Sequence, residues 1–266
     1  MLDLAEAAAE ELAESGFAVL PHLLAPADVV RVREALDALL DAQQVPSLRT
    51  EDGRFAGIAT KRVYDPLARS RIVDELALHP VVTAVLDAAL GPHRQLGMTI
   101  VSRIGGRQAA QPLHYDAGIY PLRGFGRDVE VNAIWAIDAF TEANGATVVN
   151  PGSHRWPKGR RPTDSDLQLA VEMPPGSVLL YSGDLWHGSG ENSNGERRLG
   201  VILEYVLAWL RPAENHTLAI PADVLRTLPA KLLDLVGLSQ PSPYFGFVAG
   251  QPPQTWLQAG LDTTSS

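Results

Sequence analysis

Seven histidines are spread along the chain, and two of them have neighbours that suit metal chemistry. His114 and Asp116 stand two apart at the end of the strand-like segment 111–116. A strand turns alternate side chains to opposite faces, so the imidazole and the carboxylate can share one face while Tyr115 turns aside. His187 follows an apolar run, 178–181, and a turn, 182–186, and the small residues Gly188, Ser189 and Gly190 after it leave space around a bound ion. Two imidazoles and one carboxylate leave three octahedral positions open, the facial arrangement that non-haem Fe(II) oxygenases use. Those positions would accept a two-toothed 2-oxoacid and O2. The same donors also suit Zn2+, so a zinc hydrolase and a non-catalytic β-barrel binding module stay open as alternatives.

Arg198, eleven positions after His187, opens the apolar strand 198–205. Period-two alternation places it on one face with Gly200, Ile202 and Glu204. A guanidinium turned into a barrel needs an anion, because an unpaired buried charge is costly. The distal carboxylate of 2-oxoglutarate answers that need, and arginine matches it with two parallel hydrogen bonds. Arg197 falls on the opposite face and is expected to be exposed.

The elements that must position these residues change character along the chain. Residues 3–14 form an Ala/Glu/Leu helix ending near Gly16, and 17–20 suit a short strand. A helix then runs from Pro26 to about residue 42. A helical region over 70–90 is divided by Pro80 and capped by Gly91. From about 96, short apolar runs at 97–103, 110–116, 129–139, 146–149, 177–181 and 198–209 alternate with Gly-, Pro- and Asn-rich turns, the pattern of a β-sandwich or barrel. Helix returns over 221–236, interrupted by Pro229 and stopped by Gly237. The stretch 239–260, rich in Pro, Gly and Gln, is expected to wrap the surface. We expect one domain over 1–266: a helical part (about 1–95), a β-core (about 96–210) and a C-terminal helix and tail (211–266).

Composition narrows the chemistry. Without cysteine, disulfides, thiolate-bound zinc, cysteine-ligated iron–sulfur clusters and a cysteine nucleophile are excluded, so any metal rests mainly on His, Asp or Glu. A formal net charge of −9, with no basic run, argues against a nucleic-acid partner. No stretch approaches the roughly 18 apolar residues of a membrane span, and the first residues are acidic rather than signal-like, so the expected location is cytoplasmic. The absence of a Lys/Arg cluster points to a small, fairly apolar substrate rather than a nucleotide or CoA ester. Tyr115, Tyr120 and Phe125 are candidates to line its pocket.

Several of these segments resemble the phytanoyl-CoA dioxygenase family of 2-oxoglutarate oxygenases. They are 14–20, 111–116, the Asn144-Gly145 to His154-Arg155 stretch, and His187-Gly188-Ser189-Gly190 with Arg198. The resemblance covers nearly the whole chain, and the Asn-Gly to Pro-Gly-Ser-His stretch is its most specific part. It implies a mainly β fold, a double-stranded β-helix of jelly-roll type, with packing helices. It implies Fe(II) held by His114, Asp116 and His187, with 2-oxoglutarate and O2 as cosubstrates and Arg198 on the 2-oxoglutarate. Gln111, Trp135 and Thr147 are implied to line the cosubstrate pocket, and His154 to be structural. The reaction implied is hydroxylation with release of succinate and CO2; desaturation, epimerisation and cyclisation use the same centre. The carboxylate at Asp116 argues against halogenation. The wording of 135–147 is most similar to the family's secondary-metabolism members.

Overall fold

In the computed structural model, which describes residues 2–42, 59–242 and 245–259, the chain opens with α1 (Leu2–Ser15), β1 (Phe17–Leu20) and α2 (Pro26–Ala42). α1 buries Ala5, Ala8 and Leu12, and α2 buries Val29, Val32, Leu36 and Leu40, each set spaced to form one apolar stripe. β2 (Thr60–Tyr64) follows; its Thr-Lys-Arg-Val-Tyr sequence gave no strand signal, and it forms by pairing with a longer neighbour. The break at Pro80 is present, between α3 (Ile72–Ala77) and α4 (Pro80–Ala89). His79, the residue before the proline, takes ψ 124° and cannot continue a helix.

The β-core comprises β3 (Arg94–Ile104), β4 (Glu130–Ala136), β5 (Thr147–Val149), β6 (Leu169–Val171), β7 (Val178–Ser182), β8 (His187–Ser189) and β9 (Arg198–Leu207). A six-stranded antiparallel sheet runs β1-β7-β4-β9-β3-β2, and a smaller one runs β6-β5-β8. Segment 108–114 lies along β8 through bridges at Gln108/Asn192 and His114/His187, and acts as a fourth strand of the small sheet. The two facing sheets make the expected double-stranded β-helix. One local expectation needs correction. Pairing of the 110–116 segment stops at His114, and Asp116 opens a 3-10 turn, Asp116–Ile119. His187 follows strand β7 and the turn after it, as expected, and itself opens β8, whose three residues pair with β5.

The large sheet has two unlike faces. Its outer face contributes Val131, Ala133, Trp135, Leu180, Val201 and Leu203 to a hydrophobic cluster shared with α1, α2 and α4. Its inner face carries Ile134, Leu179, Tyr181 and Ile202, turned toward the small sheet. The outer cluster also takes in the C-terminal segment, where α5 (His216–Ala219), α6 (Ala222–Leu225) and α7 (Ala230–Leu233) run into a π-turn that ends around Gly237 at φ +95°. Within 239–260 a helix forms that composition did not suggest, α8 (Pro253–Gln258). It docks through buried Leu257 and a 2.7 Å hydrogen bond from Gln254 to Asp234. Residues 243, 244 and 260 of that stretch lie outside the described residues. No helix among the described residues is long and apolar enough to cross a membrane.

Candidate active site

The inner face of the β-core encloses a cavity of about 360 Å3. His114, Asp116 and His187 converge at it, with one ligand atom from each lying within 4.8 Å of the others. The backbone explains the convergence. His114 and His187 exchange both main-chain hydrogen bonds (2.9 and 2.8 Å), which sets their ring centroids 4.5 Å apart. Tyr115 is extended (φ −135°, ψ 132°), so Asp116 returns to the side of His114.

Each imidazole is oriented by its other nitrogen. Nδ1 of His114 lies 2.9 Å from the Pro112 carbonyl oxygen, and Nδ1 of His187 lies 3.0 Å from that of Leu185. A carbonyl only accepts, so both Nδ1 atoms carry a proton, and each Nε2 is the nitrogen left to bind a metal. Those Nε2 atoms face Asp116, at 3.4 Å from Oδ1 for His114 and 3.3 Å from Oδ2 for His187. Burial alone would raise the Asp116 carboxyl, but His187, His114 and the Tyr181 hydroxyl hold it at about 2. Burial lowers both imidazoles; at His187 it prevails, while at the more accessible His114 the Asp116 carboxylate outweighs it and the net shift is upward. Two imidazole Nε2 atoms and an ionised carboxylate, converging within 4.8 Å of one another, fit a divalent metal with nitrogen and oxygen preference.

Arg198 and Arg62 also line the cavity, as do Gln111, Thr147 and Ser189. Arg198 is buried and donates to the Gly145 carbonyl and to Ser189 Oγ (3.0 Å), and its guanidinium lies 4.3 Å over the Phe140 ring. Its Nε is buried without a hydrogen-bond partner, and no carboxylate among the described residues pairs with it. Burial, with Arg62 adding repulsion, pulls Arg198 down to about 9, still a cation at neutral pH. Two glycines make this arrangement possible. A Cβ on Gly200 would stand 2.9 Å from the Phe140 ring, and one on Gly188 would stand 3.0 Å from the Gln111 carbonyl oxygen.

Of the sequence candidates, His114, Asp116, His187, Arg198, Gln111 and Thr147 line one cavity. Trp135 does not. Counting by twos from Asn132, whose side chain reaches Asp116, turns Ile134 inward and Trp135 outward, where it meets His79 edge-on at 5.3 Å. Tyr115, Tyr120 and Phe125 are also absent from the cavity. Tyr115 packs edge-on against Trp186, Tyr120 donates to the Arg211 carbonyl, and Phe125 is exposed beside Trp209. His154 serves the fold: its Nε2 lies 3.3 Å from the Ala13 carbonyl oxygen, and it packs against Gly16. Asn132, Tyr181, Ser189 and Phe140 were not singled out from sequence. The signal was there for Ser189, two residues after His187 on a strand, and for Asn132, a polar residue at an inner position of an apolar strand.

The phytanoyl-CoA dioxygenase family model matches residues 12–200. Dioxygenase sphC of Aspergillus fumigatus is 30% identical over 243 residues, 86% of this chain, which spans 66% of that protein's length. Dioxygenase FUM3 of Gibberella moniliformis is 30% identical over 233 residues, covering 82% of this chain and 77% of that one. Among solved structures, the non-haem, α-ketoglutarate-dependent epimerase SnoN of nogalamycin biosynthesis shares the fold with a TM-score of 0.67. It is 20% identical, with 94% of this chain and 93% of that chain covered.

Proposed function

We propose that this chain, which belongs to the phytanoyl-CoA dioxygenase family and is a non-haem iron, 2-oxoglutarate-dependent dioxygenase, oxidises a small and largely apolar metabolite, by hydroxylation in the first instance. The supporting observation is the polarity of one cavity. Three metal-type donors converge on it, Arg198, with no carboxylate partner among the described residues, lines it as well, and Ile100, Ile134 and Ile202 add apolar wall. In this reading His114, Asp116 and His187 hold the iron, and Arg198, with Ser189, Gln111 and Thr147 beside it, receives 2-oxoglutarate. Bound iron would supply the activation of O2 that couples loss of CO2 from 2-oxoglutarate to oxidation of the substrate.

The residues of the chain contribute orientation and charge. Arg198 fixes the far carboxylate of 2-oxoglutarate, so its oxoacid end is aimed along the cavity toward the three ligands. The isoleucine wall and Phe140 keep water from the space between, which strengthens each charge interaction there. We read the described residues as one catalytic domain, because a single hydrophobic cluster runs from Ala5 to Leu257. The likeness to the epimerase of nogalamycin biosynthesis supports a role in secondary metabolism.

The test is succinate formation by metal-stripped protein supplied with Fe(II), 2-oxoglutarate and a panel of small apolar natural products. Turnover should need all three and stop with a chelator. His114→Ala, Asp116→Ala and His187→Ala should each abolish it with the fold retained by circular dichroism. Succinate release by Asp116→Ala at the wild-type rate would remove this carboxylate from the site.

A further inference from the structure

Asp116 is held from behind by two side chains outside the metal triad. Its Oδ2 accepts from the Tyr181 hydroxyl at 3.0 Å and from Asn132 Nδ2 at 3.1 Å. Asn132 and Tyr181 are register partners on β4 and β7, so both reach the same oxygen from the same side. The second proton of that amide goes to Glu130 Oε1 at 3.0 Å. Both oxygens around Asn132 Nδ2 belong to carboxyl groups. A flipped amide would set its own carbonyl against the ionised Asp116 carboxylate, so the NH2 is turned toward Asp116 and its second proton rests on Glu130. All three side chains are nearly inaccessible: Glu130 and Asn132 are 1% exposed and Tyr181 2%.

Given that Asp116 is a metal ligand, as argued above, we propose that Asn132 and Tyr181 are positioning residues that restrict it to one coordinating oxygen, with Glu130 accepting the second amide proton of Asn132. Oδ2, although it is the oxygen nearer His187, already accepts from two donors, which leaves Oδ1, the oxygen nearer His114, as the one without a donor of this kind and the one assigned to the metal. This matters for coordination number. A one-oxygen Asp116 with His114 and His187 leaves three octahedral positions, enough for a two-toothed 2-oxoacid and O2. A carboxylate turned to bind through both oxygens would close one of the three. The pair therefore holds a position open as well as holding a ligand in place, and this distinguishes it from buried polar residues that only satisfy each other.

The experiment uses Co(II), whose visible absorption reports affinity and coordination number without turnover. Metal-stripped wild type, Asn132→Leu and Tyr181→Phe are titrated with Co(II), and Tyr205→Phe serves as control. Tyr205 is an equally buried phenol, but it donates to the Ala77 carbonyl at 3.0 Å on the outer face of β9. Removing an outer hydrogen bond to a ligand typically costs ~10–100-fold in metal affinity. We expect that loss in Asn132→Leu and Tyr181→Phe, with a changed Co(II) spectrum, while Tyr205→Phe binds as wild type even if it melts lower. Wild-type affinity and spectrum in Tyr181→Phe and in any folded Asn132→Leu would overturn the proposal, as would an equal shift in Tyr205→Phe. Tyr181→Phe removes a single oxygen and keeps the test alive should Asn132→Leu fail to fold. Wild type that takes up no Co(II) would instead overturn the metal assignment itself, so the two failures are distinguishable.

Discussion

The two faces of the large sheet are built from the same strands but solve different problems. Outward, Val131, Ala133, Trp135, Val201 and Leu203 meet helices and form an apolar core. Inward, the same strands carry Glu130, Asn132, Arg198 and Glu204, all buried, and Arg198 lines the cavity. Burial raises the Glu130 and Glu204 carboxyls, Glu204 to about 8, and lowers Arg198. The inner face therefore holds groups that cost stability in the absence of partners, while the outer face supplies the stability that makes this tolerable. Adjacent residues can belong to opposite regimes, and substitutions at such neighbours separate stability from cosubstrate binding.

The largest stability effect should come from the outer face. Trp135 is fully buried against His79 and the helical layer. Trp135→Ala should cost about 3–5 kcal/mol, the usual range for deleting a buried aromatic, read as a lower midpoint in urea. Trp135→Phe refills most of the space and should keep the wild-type 2-oxoglutarate requirement. A many-fold rise in that requirement for Trp135→Phe would show that the outer face reaches the cosubstrate after all.

On the inner face Arg198→Ala should act mainly on binding. Removing one member of a buried charge pair costs roughly 2–5 kcal/mol, about 30-fold to several-thousand-fold in affinity. The half-saturating 2-oxoglutarate concentration for succinate release should rise by that factor while Co(II) affinity measured without 2-oxoglutarate stays near wild type. Arg198→Lys should recover only part, since one ammonium cannot replace the two-pronged guanidinium. Superimposable curves for wild type and Arg198→Ala would remove the cosubstrate role.

Much of this inner face was legible in the sequence, because its determinants are local. The His-X-Asp spacing needs one extended residue at Tyr115, and the face of Arg198 follows from period-two alternation along 198–205. The assignments that failed depended on phase or on tertiary packing. Trp135 sits in a strand whose residues are apolar on both faces, so alternation alone did not say which way it points; only the contact of Asn132 with Asp116 sets the phase. β2 has no apolar pattern, because its conformation is imposed by pairing with β3. The triad's outer support was hidden for the same reason. Asn132 and Tyr181 are far apart in sequence and meet at Asp116 only through the β4–β7 register.

The smallest effect should come from the neighbour of Arg198. Arg197 points to the other side of the sheet, as its position one residue away requires, but it is not without partners. Its Nη1 pairs with Asp37 at 2.9 Å and its Nε with Asp138 at 3.4 Å. Asp37 also binds Arg103, and Asp138 binds Arg33 and accepts from the Leu199 backbone. The network ties α2 to the start of β9, and each acid keeps another cation when Arg197 is lost. The Arg197 side chain is 43% exposed, so solvent screens it, and pairs of this kind contribute about 0–1 kcal/mol. Arg197→Ala should therefore lower the urea midpoint slightly, less so in high salt, and leave the 2-oxoglutarate requirement within about twofold of wild type by the same screening argument. A shift comparable to that of Arg198→Ala would mean that this surface network sets the orientation of Arg198, and the two faces of β9 would then be coupled rather than independent.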